Sequence, residues 1–173
     1  SMVCLLGNHE ACLLEFLVNP DMLAQWRQFG GLQTLMSYGL TPSPNPDAEE
    51  RRALAQALVH QMPPAHLAFL RSLPICYVHS RYFFVHAGVR PGIALNQQRR
   101  EDLLWIRDDF LMSEDDFGKV VVHGHTPVHE AELLHNRINV DTGAYATGRL
   151  TCVKLEGARR SLMMTGDRAA RHG

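Results

Sequence analysis

Three short segments share one architecture: an apolar, strand-like run that ends in a histidine beside a glycine or another small residue. They are Cys4-Leu5-Leu6-Gly7-Asn8-His9-Glu10, Phe83-Phe84-Val85-His86-Ala87-Gly88 and Val120-Val121-Val122-His123-Gly124-His125-Thr126-Pro127. In an open α/β sheet, ligand-binding loops converge at the C-terminal ends of the strands. Glycines there let the backbone turn sharply and approach a ligand or metal closely. The three segments lie far apart in sequence, which excludes a local zinc-finger knot. Only the fold could bring them together.

The pattern along the chain predicts a mixed α/β layered domain, in the order strand, several helices, then strands. Val3-Cys4-Leu5-Leu6 reads as a buried strand, and such a strand normally has neighbours. Nothing upstream supplies them, so the chain is expected to start in the middle of a domain, after a Ser1-Met2 that resembles a cloning remnant. Helical spacing follows, with Cys12, Leu13, Phe16 and Leu17 on one face up to Asn19-Pro20. A second short helix carries Met22, Leu23, Trp26 and Phe29 and stops at Gly30-Gly31; a third closes at Tyr38-Gly39. Three prolines between Thr41 and Pro46 make a loop. Asp47 can cap a helix running to about Gln61, and Pro63-Pro64 restarts one through Leu73. Past Pro74 the period changes. Residues 75–79 and 81–86 read as a hairpin turning at Ser80, 103–110 as a short helix, and 119–123, 138–140 and 150–155 as strands. The tail from Gly157 is weakly patterned and is expected to fray. The reading is thus one domain over residues 3–157 and a flexible tail over 158–173.

Composition narrows the function classes. The 173 residues hold 17 basic and 18 acidic side chains, a net charge of −1, which argues against gripping a nucleic-acid backbone. No run approaches the roughly 18 to 20 apolar residues of a membrane span, and no signal peptide opens the chain. Cys4, Cys12, Cys76 and Cys152 are scattered and read as reduced thiols of a cytoplasmic protein. The chain has 10 histidines. Imidazole and carboxamide donors at strand ends suit a borderline divalent metal such as Mn, Fe or Zn. Any one strand-end histidine is as readily explained by a backbone hydrogen bond; three together are not.

Gly7-Asn8-His9-Glu10, His86-Ala87-Gly88, Gly124-His125-Thr126-Pro127 and Asp141-Thr142-Gly143-Ala144, in that order, resemble the downstream motifs of the phosphoprotein phosphatases, within the calcineurin-like metallophosphoesterases. The bacterial branch, with its serine/threonine phosphatases and symmetrical diadenosine tetraphosphate hydrolases, fits best. Trp26, Gly30-Gly31, Thr34, Ser37-Tyr38-Gly39 and Trp105-Ile106-Arg107 also resemble it. The resemblance implies a layered α/β/β/α sandwich with a helical insertion and with N-terminal strands missing. It implies two divalent metals in the complete site, Mn first, with Asn8, His86 and His125 on the second. It gives His9 the role of general acid, Arg107 a grip on phosphate, and Glu10 and His123 supporting places behind the ligands. Proline stands at 127, where the wider group often has a second histidine of a G-H-x-H motif. The upstream motifs G-D-x-H-G and G-D-x-x-D-R-G are absent, and with them every ligand of the first metal. Gly166-Asp167, the one Gly-Asp here, reads as surface.

Blander readings stand beside these. Arg107 could form a surface pair with Asp108-Asp109, Asp141 should close a turn through its own side chain, and Trp26, Phe29 and Tyr38 read as helix packing rather than a base-stacking platform. His60, His66, His79, His129, His135 and His172 read as solvated or structural. The expected activity is hydrolysis of a phosphate monoester, most of all phosphoserine or phosphothreonine in a protein. The alternatives are a dinucleoside polyphosphate hydrolase, with the helices before Thr41 as its substrate-side wall, and an inactive fragment or binding module. The expected partners are a phosphorylated protein or small phosphoester, with no nucleic acid and no membrane.

Overall fold

Local capping sets the helices of the first unit, residues 1–74. The computed structural model describes residues 2–165, so Ser1, Gly166-Asp167 and His172 lie outside the described residues. Helix α1 spans Asn8–Phe16, and the Glu10 carboxylate accepts the Gly7 N–H at 3.0 Å, satisfying one of the donors a helix start leaves open. Helices α2 (Leu23–Trp26) and α3 (Gly31–Ser37) are separated by a 3-10 turn that ends at Gly30 with φ +109. Helix α4 is Ala48–Gln61; its cap Asp47 accepts the N–H groups of Glu49 and Glu50 at 3.0 and 2.8 Å. Helix α5, Pro64–Ser72, starts on its proline, whose fixed φ suits a first turn. Phe16, Leu23, Trp26, Leu35 and Leu58 are buried in this unit.

The apolar run Val3–Leu6 is not a strand. Among the described residues its one backbone bond of ladder type is from Leu6 N–H to Pro74 O at 2.9 Å, and residues 2–7 lie in no strand. Apolarity alone makes a segment suitable for a sheet; a neighbour makes it a strand.

The second unit begins at Ile75. Strands β1 (Cys76–His79) and β2 (Tyr82–Val85) form the expected hairpin, with Ser80 at φ +53. The chain then passes through α6 (Arg100–Trp105) and α7 (Asp108–Leu111) to β3 (Val120–His123), parallel to β2. One continuous helix was expected across 103–110. Instead Arg107 takes φ −131 and ψ −103, which breaks the helix and lets Ile106 turn into the core. Strand β4 (Glu132–Leu133) is antiparallel to β5 (Arg137–Asn139), which lies parallel to β3. The sheet order is β1-β2-β3-β5-β4.

Period-2 alternation divides the sheet's two faces. Phe83, Val85 and Val121 pack with Leu103, Ile106 and Phe110 from the helical side. Tyr82, Val120, Val122 and Ile138 pack with Val153 and Leu155 on the other. Those last two belong to a second sheet, the hairpin of β6 (Thr151–Glu156) and β7 (Arg159–Met164), which follows the short α8 (Ala144–Thr147). The fold is mixed α/β, and this unit layers helices, sheet and hairpin. The described part of the tail, expected to fray from Gly157, is instead paired as β7 with β6. Gly157 takes φ +60 at the first position of a two-residue turn, as a II′ hairpin requires.

Candidate functional site

Adjacent parallel strands bring two of the three motifs side by side. Beyond the ladder of β2 and β3, Gly124 N–H donates to His86 O at 2.9 Å, so the two strand ends stay in register as they leave the sheet. His86 Nε2 and His125 Nδ1 then lie 3.1 Å apart, with ring centroids 4.9 Å apart. The backbone is distorted to achieve this. His125 has φ +67, and Thr126 N–H donates to Gly124 O at 2.8 Å, the rarer and strained hand of γ-turn. A non-glycine residue in such a turn costs of order 1 to 3 kcal/mol and persists where the surroundings impose it.

This turn also separates His123 from His125, which period-2 alternation would have put on one side. The His123 ring is 2% exposed and packs edge-on to Phe110 at 4.9 Å. Its Nδ1 donates to Gly124 O at 3.1 Å, since a carbonyl can only accept. Burial, with the Arg137 charge adding to it, lowers its pKa to about 4 against the opposing pull of its backbone hydrogen bonds. His123 is therefore a neutral imidazole held behind the turn that carries His125. Gly88 of the His86-Ala87-Gly88 motif has a steric role, because a Cβ there would overlap the Phe110 ring.

Arg107 is exposed, and its Nη1 donates to Thr126 Oγ1 at 3.1 Å. The sequence offered Asp108-Asp109 as its alternative partners. Asp109 is instead 2.9 Å from Arg90 Nη1, and Arg90 also reaches Asp102 at 2.6 Å. Those two hydrogen-bonded carboxylates, Asp102 foremost, raise the Arg90 pKa. This ion pair ties the loop after His86 to α6, and the sequence alone did not reveal it. Asp141 does close its own turn, accepting Gly143 N–H at 2.9 Å. Trp105, part of the motif that includes Arg107, meets the His125 ring edge-on at 6.0 Å.

In the first unit, Asn8 is buried and His9 half-buried at the start of α1. The His9 ring packs against Phe29 at 5.2 Å, edge to face. Behind it stands Gly30, where a Cβ would come within 3.0 Å of His9 Cε1. Gly30-Gly31 read in sequence as a helix stop and as part of the resemblance; that one glycine leaves room for His9 has no local sequence signal. Glu10 makes the capping contact described above. His60, His66, His79, His129 and His135 are all exposed.

The donor set can be tested against a metal. Two imidazole nitrogens each about 2.1 Å from one ion stand about 3.0 Å apart when they meet it near a right angle. The 3.1 Å between His86 and His125 fits such a pair. Among the described residues no three His, Cys, Asp or Glu side chains form a metal-binding group. The pair alone is therefore two nitrogens at a spacing compatible with one ion.

Residues 1–154 match the profile of the calcineurin-like phosphoesterases. Among curated proteins, the asymmetrical bis(5'-nucleosyl)-tetraphosphatase PrpE of Bacillus thuringiensis (strain Al Hakam) is 25% identical over 163 residues, which is 86% of this chain and 60% of that protein. The protein of the same name from Bacillus mycoides (strain KBAB4) is 25% identical over 160 residues, 84% of this chain and 59% of its own length. The chain therefore spans about 60% of the length of these relatives. A crystal structure ascribed to a diadenosine tetraphosphatase superposes with a TM-score of 0.61 at 17% identity, over 94% of this chain and 68% of that one. The match over nearly the whole chain is decisive: it belongs to the calcineurin-like phosphoesterase family.

Proposed function

We propose that this chain carries part of a metal-dependent site that hydrolyses a dinucleoside polyphosphate. The observation that carries the reading is the 3.1 Å approach of His86 Nε2 and His125 Nδ1 at neighbouring strand ends. Members of the family generally work with two divalent ions. A divalent ion held there supplies Lewis acidity toward a phosphoryl oxygen and a more acidic bound water. His86 and His125 would hold that ion, with His123 steadying the turn behind His125. Asn8 keeps its place as a metal ligand on its motif alone. Arg107 presents a planar fork of N–H donors to a phosphate. As a P–O bond to the leaving group breaks and a water oxygen bonds to phosphorus, His9 gives its proton to the leaving oxygen, while the attacking water releases a proton to solvent, from which His9 is recharged.

The substrate class rests on the relatives. Two curated proteins named as asymmetrical tetraphosphatases favour a dinucleoside substrate, over the phosphoprotein that the motifs first suggested. Their name also differs from the symmetrical hydrolases of the resemblance. Protein phosphatase activity remains the second reading, favoured by Pro127 in the Gly124-His125-Thr126-Pro127 motif.

The test is Mn-dependent turnover of diadenosine tetraphosphate, a phosphoserine peptide and p-nitrophenyl phosphate. Products of the first are resolved by ion-exchange chromatography. AMP with ATP marks asymmetrical cleavage, and ADP alone marks symmetrical cleavage. His9→Asn should lower turnover about 100-fold or more, the usual span of general acid catalysis. Full activity in that variant refutes the role of His9, and peptide turnover without dinucleotide turnover refutes the substrate.

A further inference from the structure

The first unit contains a pocket of about 520 Å³, within the roughly 300 to 1,000 Å³ typical of small-molecule sites. His9 and Glu10 line one side; Trp26, Thr34, Tyr38 and His66 make much of the rest. Four ring systems therefore line one space. Tyr38 Oη and His66 Nδ1 are 3.1 Å apart, a hydrogen bond whose proton either atom can carry, with ring centroids 5.9 Å apart. This bond joins the end of α3 to α5 and fixes both rings at the pocket wall. Thr34 Oγ1 donates to Gly30 O at 3.1 Å, and Ser37 Oγ donates to Thr34 O at 2.7 Å, so each hydroxyl oxygen keeps acceptor capacity. The Trp26 indole is 1% exposed, and its Nε1–H meets no acceptor among the described residues.

The charge of the lining decides what fits. No lysine or arginine lines this pocket, and its one formally charged group is the Glu10 carboxylate. A phosphate chain would be repelled there and finds no cation. A neutral, planar heterocycle on a sugar is suited to the same walls. Aromatic faces stack on bases at about 1 to 3 kcal/mol each, while hydroxyls and an imidazole serve the ring edge and the sugar. A phosphoserine peptide needs no such concavity, since its leaving group is one hydroxymethyl on an extended backbone.

We infer that this pocket seats one nucleoside of a dinucleoside polyphosphate, with the phosphates outside it and His9 at its edge. The inference rests on the proposed activity for the substrate, but not for the chemical class of the ligand. Trp26 is core packing, as its sequence context indicated, and it is a wall of the pocket as well.

Two measurements separate this inference from the proposed function. In the first, the Trp26 indole N–H resonance of nitrogen-15-labelled protein is followed while adenosine is added, with ribose 5-phosphate and inorganic phosphate in parallel. A saturable shift with adenosine alone is expected, weakened about tenfold in affinity by Tyr38→Ala and less by Tyr38→Phe, which keeps the ring. No saturable shift at millimolar adenosine, or an equal response to inorganic phosphate, overturns the pocket whether or not the protein is an active hydrolase. In the second, His66→Ala and Tyr38→Ala should raise KM for diadenosine tetraphosphate about tenfold and leave p-nitrophenyl phosphate turnover unchanged. Equal losses on both substrates also overturn it. Adenosine binding by a protein that hydrolyses nothing would uphold the pocket and defeat the proposed function.

Discussion

At the residue scale, the backbone strain at His125 is what the proposed site would account for. Glycine accepts φ near +67 freely, whereas a β-carbon there costs about 1 to 2 kcal/mol. Histidine stands in that turn all the same, beside His86 and Trp105. If the turn is under strain to present an imidazole, His125→Gly should be more stable than His125→Ala by about 1 kcal/mol. Urea unfolding midpoints of the two variants measure it, and equal midpoints would mean the turn is relaxed. Cys12 gives a second residue-scale expectation, this one in pH. The thiol is 4% exposed, and burial, with Glu15 and Glu10 adding to it, pushes its pKa from 9.0 up to about 11. The native state then keeps a proton that the unfolded chain releases. Stability is fully present below pH 9 and declines as pH rises from 9 to about 11. Cys12→Ala should unfold with a shallower alkaline decline than the parent protein. Parallel declines would remove Cys12 as the cause.

Elements with local punctuation were legible in the sequence, and those needing a distant partner were not. Helix α4 begins where Asp47 can cap it, and α5 begins at Pro64 because proline is pre-set for a first turn. Asp47→Ala should therefore cost about 1 kcal/mol, read as a lower urea midpoint, with Asp47→Asn close to the parent. A midpoint unmoved by alanine would show that tertiary packing alone holds α4. Val3–Leu6 fails as a strand because a ladder depends on a second segment, which no period in the run itself reports. Strand β7 was missed for the converse reason. Arg159, Arg160 and Ser161 look unlike a strand alone, yet they pair with Glu156, Leu155 and Lys154 across a two-residue turn. The site divides in the same way. His86 and His125 were legible because each ends an apolar run, and the parallel pairing of β2 and β3 did the rest. The ion pair of Arg90 with Asp102 and the space Gly30 leaves for His9 are contacts between segments, and neither has a pattern of its own.

At the scale of the whole molecule, the question is whether two neutral imidazoles suffice to hold a divalent ion in a chain of this length. Neutral donors offer no charge to offset the ion's dehydration, and two of them leave most coordination positions to other groups. Binding is expected to be weak by the standard of structural zinc. A weak ligand still stabilises a fold that it binds and its unfolded chain does not, by about 2.7 kcal/mol at a concentration 100 times its Kd. Thermal unfolding in Mn, Zn or Mg chloride should thus show a saturable rise in Tm, larger for Mn and Zn than for Mg, which prefers oxygen donors. His86→Ala and His125→Ala should each abolish the rise. His60→Ala, which alters an exposed imidazole on α4, should keep it and so account for adventitious surface binding. A rise that survives both strand-end substitutions would place the ion elsewhere. Lowering the pH should also erase the rise, because a protonated imidazole is no ligand. That loss should come reversibly and without unfolding, which distinguishes proton competition at the pair from collapse of the fold around it.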